Sequence, residues 1–157
     1  MKMRLRFVWV GKTRSAPVKA LIEEYLARAG RFAQVEVSEL RDRDDAGADA
    51  RRIIEKEGED IISRTASDHF VIALDERGRE MDSLQMAELI EKHRLAGTKQ
   101  VTFVIGGPNG LSEGVRKRAN LVLALSRMTL THELARALLA EQVYRAFTII
   151  HDLPYQK

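Results

Sequence analysis

The sequence of 157 residues contains no cysteine. This absence excludes disulfide bonds, thiolate metal sites and cysteine nucleophiles. No spacing of histidines and carboxylates typical of a metal site occurs either, so we predict no metal. The apolar runs are far shorter than a membrane span, and charged residues interrupt the N-terminal segment where a signal peptide would be apolar. We therefore expect a cytoplasmic protein that makes no membrane contact.

The composition is that of an ordinary globular protein. Hydrophobic residues make up 45% of the chain and charged residues 31%, which suffices for a buried core at this length. No repeat, low-complexity run or linker divides the sequence, so we expect one domain over residues 1–157. The net charge of +3 is compatible with nucleic acid binding. However, 26 basic residues stand against 23 acidic ones, a balance more typical of a solvated surface.

Strand and helix patterns alternate along the chain. In the first strand, Leu5, Phe7 and Trp9 share one face, and Arg4 and Arg6 share the other. Strands separated by helices predict an α/β fold with a mainly parallel sheet and helices on both faces. The predicted strands are 3–10, the region 35–37, 69–74 followed by a turn at 75–78, 101–105 and 121–125. The predicted helices are 17–30 with Ser15 as cap, about 48–63, 83–96 with Ser83 as cap, and about 132–150.

Ligands of parallel α/β sheets bind beyond the carboxyl ends of the strands. Three segments of this chain occupy that location, after Leu74, after Ile105 and after Leu125. We expect the functional site where these three segments meet.

Two adjacent glycines, Gly106 and Gly107, directly follow one of these strands. They permit the close approach of a ligand or of another part of the backbone. Their spacing is not that of the dinucleotide-binding fingerprint. A ligand-binding loop and a tight turn without a ligand are equally compatible with this segment.

The segment 126–131 connects the last strand to the last helix. Free backbone amides at the helix start, capped by Thr129 or Thr131, can bind polar groups of a ligand. The alternative is a capped helix start with no further role. Near the N-terminus, the sequence Gly11-Lys12-Thr13 lacks the earlier glycine of a nucleotide phosphate loop, because Arg6 occupies that position. We interpret it as a strand-to-helix turn.

The last helix is apolar almost all round, which favours a second partner such as another subunit. Arg136 and Arg145 interrupt this surface. Either arginine can bind a phosphate or a base, although Glu141 also lies at ion-pair spacing from Arg145. His132 and His151 flank the helix and are candidates for chemistry.

Two other polar groups are weaker candidates for a functional role. His93 sits on an apolar stripe, which indicates a structural residue. The basic cluster Arg116-Lys117-Arg118 can contact RNA phosphates, but a solvated helix surface explains it as well.

The C-terminal third carries four motifs in a fixed order: 105–112 (IGGPNGLS), 125–132 (LSRMTLTH), 141–146 (EQVYRA) and 154–155 (PY). Together with the Leu-Asp turn at 74–78, they resemble the family of ribosomal RNA large subunit methyltransferase H, within the SPOUT superfamily. The resemblance covers the whole chain in length and element order. It implies a C-terminal trefoil knot, a homodimer, and methylation of N3 of a pseudouridine in 23S (large-subunit) rRNA, in the assembled ribosome, with S-adenosylmethionine as cofactor.

Matching the motifs also implies the site residues. Arg145, Tyr155 and His132 are then the catalytic candidates. The N3 proton must leave before methyl transfer, and His132, His151, Tyr155, the terminal carboxylate and water remain open as acceptors. The glycines would leave room for the cofactor, and backbone groups would read its adenine edge. The implied cofactor-binding residues are Leu74, Gly106, Gly107, Ser126, Arg127, Met128, Thr129, Leu130 and Thr131.

The sequence departs from the family pattern at two positions. Thr131 replaces a usual proline but can cap the helix. Gln156 replaces a usual histidine, and glutamine cannot act as a general base near neutral pH. The alternative function is therefore a noncatalytic ribosome- or RNA-binding domain that retains the fold. A flavodoxin-like nucleotide-binding domain is a further alternative.

Overall fold

The computed structural model describes residues 2–43, 47 and 49–155. Within these ranges, five strands alternate with five helices. The strands are β1 (Met3–Val10), β2 (Ala33–Leu40), β3 (Phe70–Glu80), β4 (Val101–Ile105) and β5 (Leu121–Ala124). The helices are α1 (Ala16–Ala29), α2 (Ala50–Ser63), α3 (Ser83–Leu95), α4 (Glu113–Arg118) and α5 (His132–Ile150).

The strands form one sheet in the order β2-β1-β4-β3-β5. Neighbouring strands run parallel, with Leu5 of β1 and Phe70 of β3 both opposite Val101 of the central strand β4. The pairs at the two edges, β1 with β2 and β3 with β5, are parallel as well. The predicted parallel sheet is confirmed.

Alternate residues of each strand point into two separate cores. Phe7 and Phe103 stack with ring centres 5.2 Å apart in the core shared with α1, α3 and α5. Val8 and Val104 face the opposite side of the sheet, where α2 and α4 contribute Ile61 and Val115. Helices therefore cover both faces, as the sequence predicted.

The helix starts show which predicted caps act as caps. Thr131 accepts a hydrogen bond from the Leu134 amide at 3.2 Å and caps α5. The prediction of Ser83 as the cap of α3 is wrong, because Asp82 and Gln85 form a reciprocal capping box there. Ser15 occupies the cap position of α1, but its side chain makes no capping bond.

Strand β3 differs most from its prediction. The sequence indicated a strand ending at Leu74 and a turn at 75–78, but β3 continues to Glu80. Its pairing with β5 shifts register, so that Leu74 and Arg79 both lie opposite Leu123. The residues between them bulge out of the ladder, since two strand segments meet one partner residue. This bulge forms a wall of the site described below.

Candidate functional site

A cleft of about 1030 Å³ opens at the carboxyl edge of the sheet. The three strand-end segments indicated by the sequence form its walls, following Leu74, Ile105 and Leu125. The first turn of α5 and the residues Ser15 and Val18 close the remaining side. The predicted meeting point of these segments is therefore a real cavity of ligand size.

Most of the predicted cofactor-binding residues line this cleft. Arg127 is the exception, because its side chain is 86% exposed and pairs with Glu80 at the end of β3. Only its backbone lies within the segment that borders the cavity. The lining residues are Leu74, Gly106, Gly107, Ser126, Met128, Thr129, Leu130 and Thr131.

The two adjacent glycines lie close to other parts of the protein, and the packing requires glycine at Gly106. A Cβ on Gly106 would lie 2.7 Å from the carbonyl oxygen of Gly110, and a Cβ on Gly107 would lie 3.3 Å from Oε1 of Glu57. Both glycines also line the cleft, so the expectation that they leave room for a cofactor stays a prediction. Their small size lets the loop fold back on itself and against α2.

The segment 126–131 is tied to the β3 bulge. Thr129 donates a hydrogen bond from Oγ1 to Glu76 at 2.5 Å, next to the ion pair of Arg127 with Glu80. Ser126 accepts from the Met128 amide at 2.9 Å, which shapes the turn. These contacts set two walls of the cleft at a defined separation.

Asp75 is a charged residue of the cleft whose importance the sequence analysis missed. Arg116 of α4 donates to its Oδ2 at 2.6 Å, and Arg77 donates to its Oδ1 at 3.2 Å. Burial alone would raise the pKa of Asp75, but the hydrogen bonds and charges of these two arginines outweigh it and lower the pKa to about 2. The carboxylate is therefore ionised at neutral pH, and the predicted basic cluster supplies its partner.

His132 begins α5 and lines the cleft. Burial lowers its pKa below the ordinary 6.5, and the positive charge of Arg136 acts in the same direction. Glu133 and Asp42 oppose the shift without reversing it. The imidazole is therefore neutral near pH 7 and able to accept a proton.

Arg136 is fully buried beneath the cleft. Its Nη2 donates to the carbonyl oxygen of Val10 at 2.6 Å, and its Nη1 donates to Thr13 Oγ1 at 3.0 Å. These bonds join the start of α5 to the end of β1. Arg136 was a candidate for phosphate or base binding, but a side chain without exposed surface cannot contact a substrate in this arrangement.

Arg145 and Tyr155 form a second cluster around Glu141. Arg145 Nε and the Tyr155 hydroxyl each donate to Oε1 of Glu141 at 3.0 Å. The guanidinium carbon of Arg145 also lies 4.7 Å from the centre of the Tyr155 ring. Burial, with hydrogen bonds to Tyr25 and Glu141, raises the pKa of Tyr155 well above 10. The phenol is therefore a hydrogen-bond donor and not a base at neutral pH.

Helix α5 separates the predicted catalytic residues. His132 stands at the cleft, whereas Arg145 lies about 20 Å further along the helix axis at 1.5 Å per residue. Beyond it, His151 stacks on Phe32 at the amino edge of the sheet, with ring centres 4.9 Å apart. One chain therefore does not bring His132 together with Arg145 and Tyr155. Gln156, where the sequence departs from the family pattern, lies outside the described residues.

The surface around α5 carries exposed apolar side chains. Leu134 and Leu138 on the helix are 47% and 44% exposed, and Met128 beside the cleft is 77% exposed. Among the residues that the structure describes, no helix is long and apolar enough to cross a membrane. Within the same residues, no group of three or more histidine, cysteine or acidic side chains is placed to hold a metal ion.

Comparison with known sequences gives a match over nearly the whole chain. Residues 3–156 match the family model described as predicted SPOUT methyltransferase. Proteins named Ribosomal RNA large subunit methyltransferase H are similar to the chain throughout. The one from Trichlorobacter lovleyi is 44% identical over 153 residues, covering 98% of this chain and 99% of the relative. The one from Clostridium botulinum is 42% identical over 159 residues, covering 99% and 100%.

Two solved structures share the fold at low sequence identity. A probable methyltransferase from Bordetella pertussis superimposes with a TM-score of 0.56 at 18% identity, over 92% of this chain and 96% of that one. A probable methylase family protein from Haemophilus influenzae gives a TM-score of 0.53 at 14% identity, over 97% of this chain and 68% of that one. At such identities the likeness supports the fold alone.

Proposed function

The chain belongs to the SPOUT methyltransferase family, and from this membership we propose that it methylates N3 of a pseudouridine in 23S (large-subunit) ribosomal RNA. The cofactor is S-adenosylmethionine. The observation that carries the proposal is the 42–44% identity, over nearly the whole length, to proteins named Ribosomal RNA large subunit methyltransferase H. A single domain over residues 1–157 would carry out the reaction in the cytoplasm, on the assembled ribosome.

The cleft at the carboxyl edge is the proposed cofactor site. Apolar side chains such as Leu74 and Leu130 suit the face of an adenine ring, and backbone groups of the same segments suit its polar edge. The carboxylates of Asp75 and Glu76 also line the cleft and suit a ligand that carries a positive sulfonium and an ammonium group. These features fit S-adenosylmethionine. As in the family, we expect the segments to be threaded as a trefoil knot, an exception to general topology rules.

A homodimer is the second part of the proposal. Because α5 holds Arg145 and Tyr155 far from His132, a complete set of catalytic residues at one cleft needs the tail of a second chain. Leu134 and Leu138 offer an exposed apolar surface beside the cleft where two chains can pack. An isologous dimer would then contain two equivalent composite sites.

The chemistry assigns a separate role to each of these residues. Bound S-adenosylmethionine would supply an electrophilic methyl group and leave as S-adenosylhomocysteine when its S–CH₃ bond breaks. In the base, the N3–H bond is replaced by an N3–CH₃ bond. The neutral His132 can accept the N3 proton, because its pKa is lowered. Tyr155 stays protonated and can position the base by donating a hydrogen bond. Arg145 can stabilise the negative charge that the ring acquires when the proton leaves.

Transfer of labelled methyl from S-adenosylmethionine tests the proposal. The substrates are ribosomes that lack the modification, with free large-subunit rRNA alongside. We expect label in the large-subunit rRNA, mapped to N3 of a pseudouridine, which would also show that Gln156 is tolerated. Cofactor binding with no label on either substrate would support the noncatalytic RNA-binding alternative. Failure to bind the cofactor would overturn the assigned site.

A further inference from the structure

The loop between β1 and α1, residues 11–15, is fixed to the start of α5 at three points. Arg136 Nη1 donates to Thr13 Oγ1 at 3.0 Å, and its Nη2 donates to Val10 just before the loop at 2.6 Å. The Ser15 amide donates to Glu133 Oε1 at 2.9 Å. A surface loop held by a buried guanidinium and by a carboxylate has a defined shape, which is what a binding loop needs.

The loop presents two basic side chains, Lys12 and Arg14, that are both exposed. Among residues 2–43, 47 and 49–155, no carboxylate lies within ion-pair distance of either side chain. Two carboxylates border the loop: Glu133 is bonded to its backbone, and Oδ2 of Asp42 would lie 3.7 Å from a Cβ on Gly11. By contrast, Arg116 and Arg127 on the other walls of the cleft are paired with acidic residues.

The position of the loop at the cleft indicates which kind of ligand can contact Lys12 and Arg14. Ser15 and Val18 line the cleft, so the loop forms its rim, while Lys12 and Arg14 themselves lie outside the lining. A ligand that touches them must extend beyond the cavity. S-adenosylmethionine has no phosphate and would sit inside the cleft, whereas an RNA strand carries one phosphate per nucleotide past it.

We propose that the β1–α1 loop is a phosphate-binding rim, at which Lys12 and Arg14 contact the rRNA backbone beside the target nucleotide. This inference rests on the proposed function and adds the residues that position the RNA. Lysine supplies a point charge and arginine a two-pronged donor, both suited to phosphate oxygens. The contact differs from a nucleotide phosphate loop, since side chains and not backbone amides bind the phosphates.

Direct binding to assembled ribosomes that lack the modification tests the inference. The variant is Lys12→Gln with Arg14→Gln, and the dissociation constant is measured over a range of salt concentrations. We expect the dissociation constant to rise roughly tenfold or more. The slope of the logarithm of the binding constant against the logarithm of salt concentration should become smaller in magnitude by about 1 to 2, because two phosphate contacts are lost. The dissociation constant for S-adenosylmethionine should stay within about twofold, because neither side chain lines the cleft.

The matched control is Lys2→Gln with Arg64→Gln. It removes the same two charges from exposed positions at the start of β1 and after α2, away from the cleft. We expect its binding and salt slope to stay close to those of the unmodified chain. Equal weakening in both variants would mean a general charge effect and would overturn the inference.

A charge-keeping variant and a methyl-transfer assay complete the design. The swap Lys12→Arg with Arg14→Lys should retain most of the binding, and its failure to do so would count against phosphate contact. Methyl transfer is measured in parallel. A chain that transfers no methyl fails the proposed function, whereas the comparison of ribosome binding between the variants decides the role of the loop independently.

Discussion

The guanidinium of Arg136 lies over the indole of Trp9, with its central carbon 5.1 Å from the ring centre. This buried cation is stabilised by an aromatic face and by two oxygen acceptors, with no carboxylate bonded to it in the described chain. Burial lowers the pKa of Arg136, which still remains charged at any pH that proteins encounter. The pair joins the first strand to the last helix beneath the residues that line the cleft.

We expect Arg136→Lys to lower the free energy of unfolding by about 1–3 kcal/mol, since an ammonium cannot reach both acceptors and is more strongly hydrated. Urea unfolding at pH 7 measures the change. The control Arg94→Lys alters an arginine that pairs with Glu91 on the surface, and it should cost under about 0.5 kcal/mol. Equal stability of Arg136→Lys and the unmodified chain would show that the buried contacts contribute nothing.

The β3 bulge depends on Asp75. Because its pKa is lowered to about 2, its ion pairs stabilise the fold above the ordinary pKa near 3.9 and are lost as the pH falls toward 2. We expect Asp75→Asn to lower the free energy of unfolding by roughly 1 kcal/mol at pH 7, after allowance for solvent screening, and to weaken cofactor binding.

Urea unfolding and calorimetric titration with S-adenosylmethionine measure these effects. The matched control is Glu113→Gln, which removes the exposed second partner of Arg116 at 3.8 Å and should change neither quantity. If Asp75→Asn matched this control, the bulge would not need the ion pairs.

The proposed base predicts a pH profile. His132 must be neutral to accept a proton, so the rate should fall as the pH drops through its pKa, which lies below 6.5. We expect His132→Gln to lower kcat by about 100-fold at pH 7.5 and to remove this acidic limb. The profile of single-turnover methyl transfer from pH 5 to 9 is the measurement. A variant that keeps the acidic limb would assign the proton to another acceptor.

The proposed homodimer predicts complementation between two inactive variants. His132→Gln damages the cleft and Arg145→Ala damages the tail cluster. If each site takes its cleft from one subunit and its tail from the other, mixed dimers regain one intact site. Isolated mixed dimers should then recover about half of the full activity, because one of their two sites is intact.

Co-expression with two affinity tags isolates the mixed dimers for this measurement. Dimers of either variant alone serve as controls and should stay inactive. Mixed dimers no more active than these controls would contradict sites that combine the cleft of one chain with the tail of the other.

The strands and the cleft could be predicted from the sequence because their signals are local. A short apolar run such as 101–105 indicates a buried strand of a parallel sheet. The loops that follow such strands meet at one edge of the sheet. Extension of β3 beyond Leu74 could not be predicted in this way. The polar residues 75–78 read as a turn, whereas in the structure they bulge out of the ladder with β5. Gly78 lies so close to β5 that a Cβ on it would be 2.6 Å from the Val122 carbonyl oxygen.

Side-chain roles were harder to predict than positions in the fold. The spacing of Glu141 and Arg145 correctly indicated an ion pair, since both lie on one helix. Asp75 and Arg116 pair from segments 41 residues apart, and no sequence period reports such a contact. The burial of Arg136 likewise depends on Val10 and Thr13, from the far end of the chain.

The cleft takes residues from Ser15 near one end of the sequence and from Ala135 near the other. A growing or truncated chain therefore lacks a binding site until the last helix has docked. If the cofactor binds in this cleft, only complete molecules can bind it. At a free cofactor concentration 100 times the dissociation constant, binding adds about 2.7 kcal/mol to their free energy of unfolding. Cellular cofactor supply would thus set how well the finished protein resists proteolysis, and newly made fragments would receive no such protection.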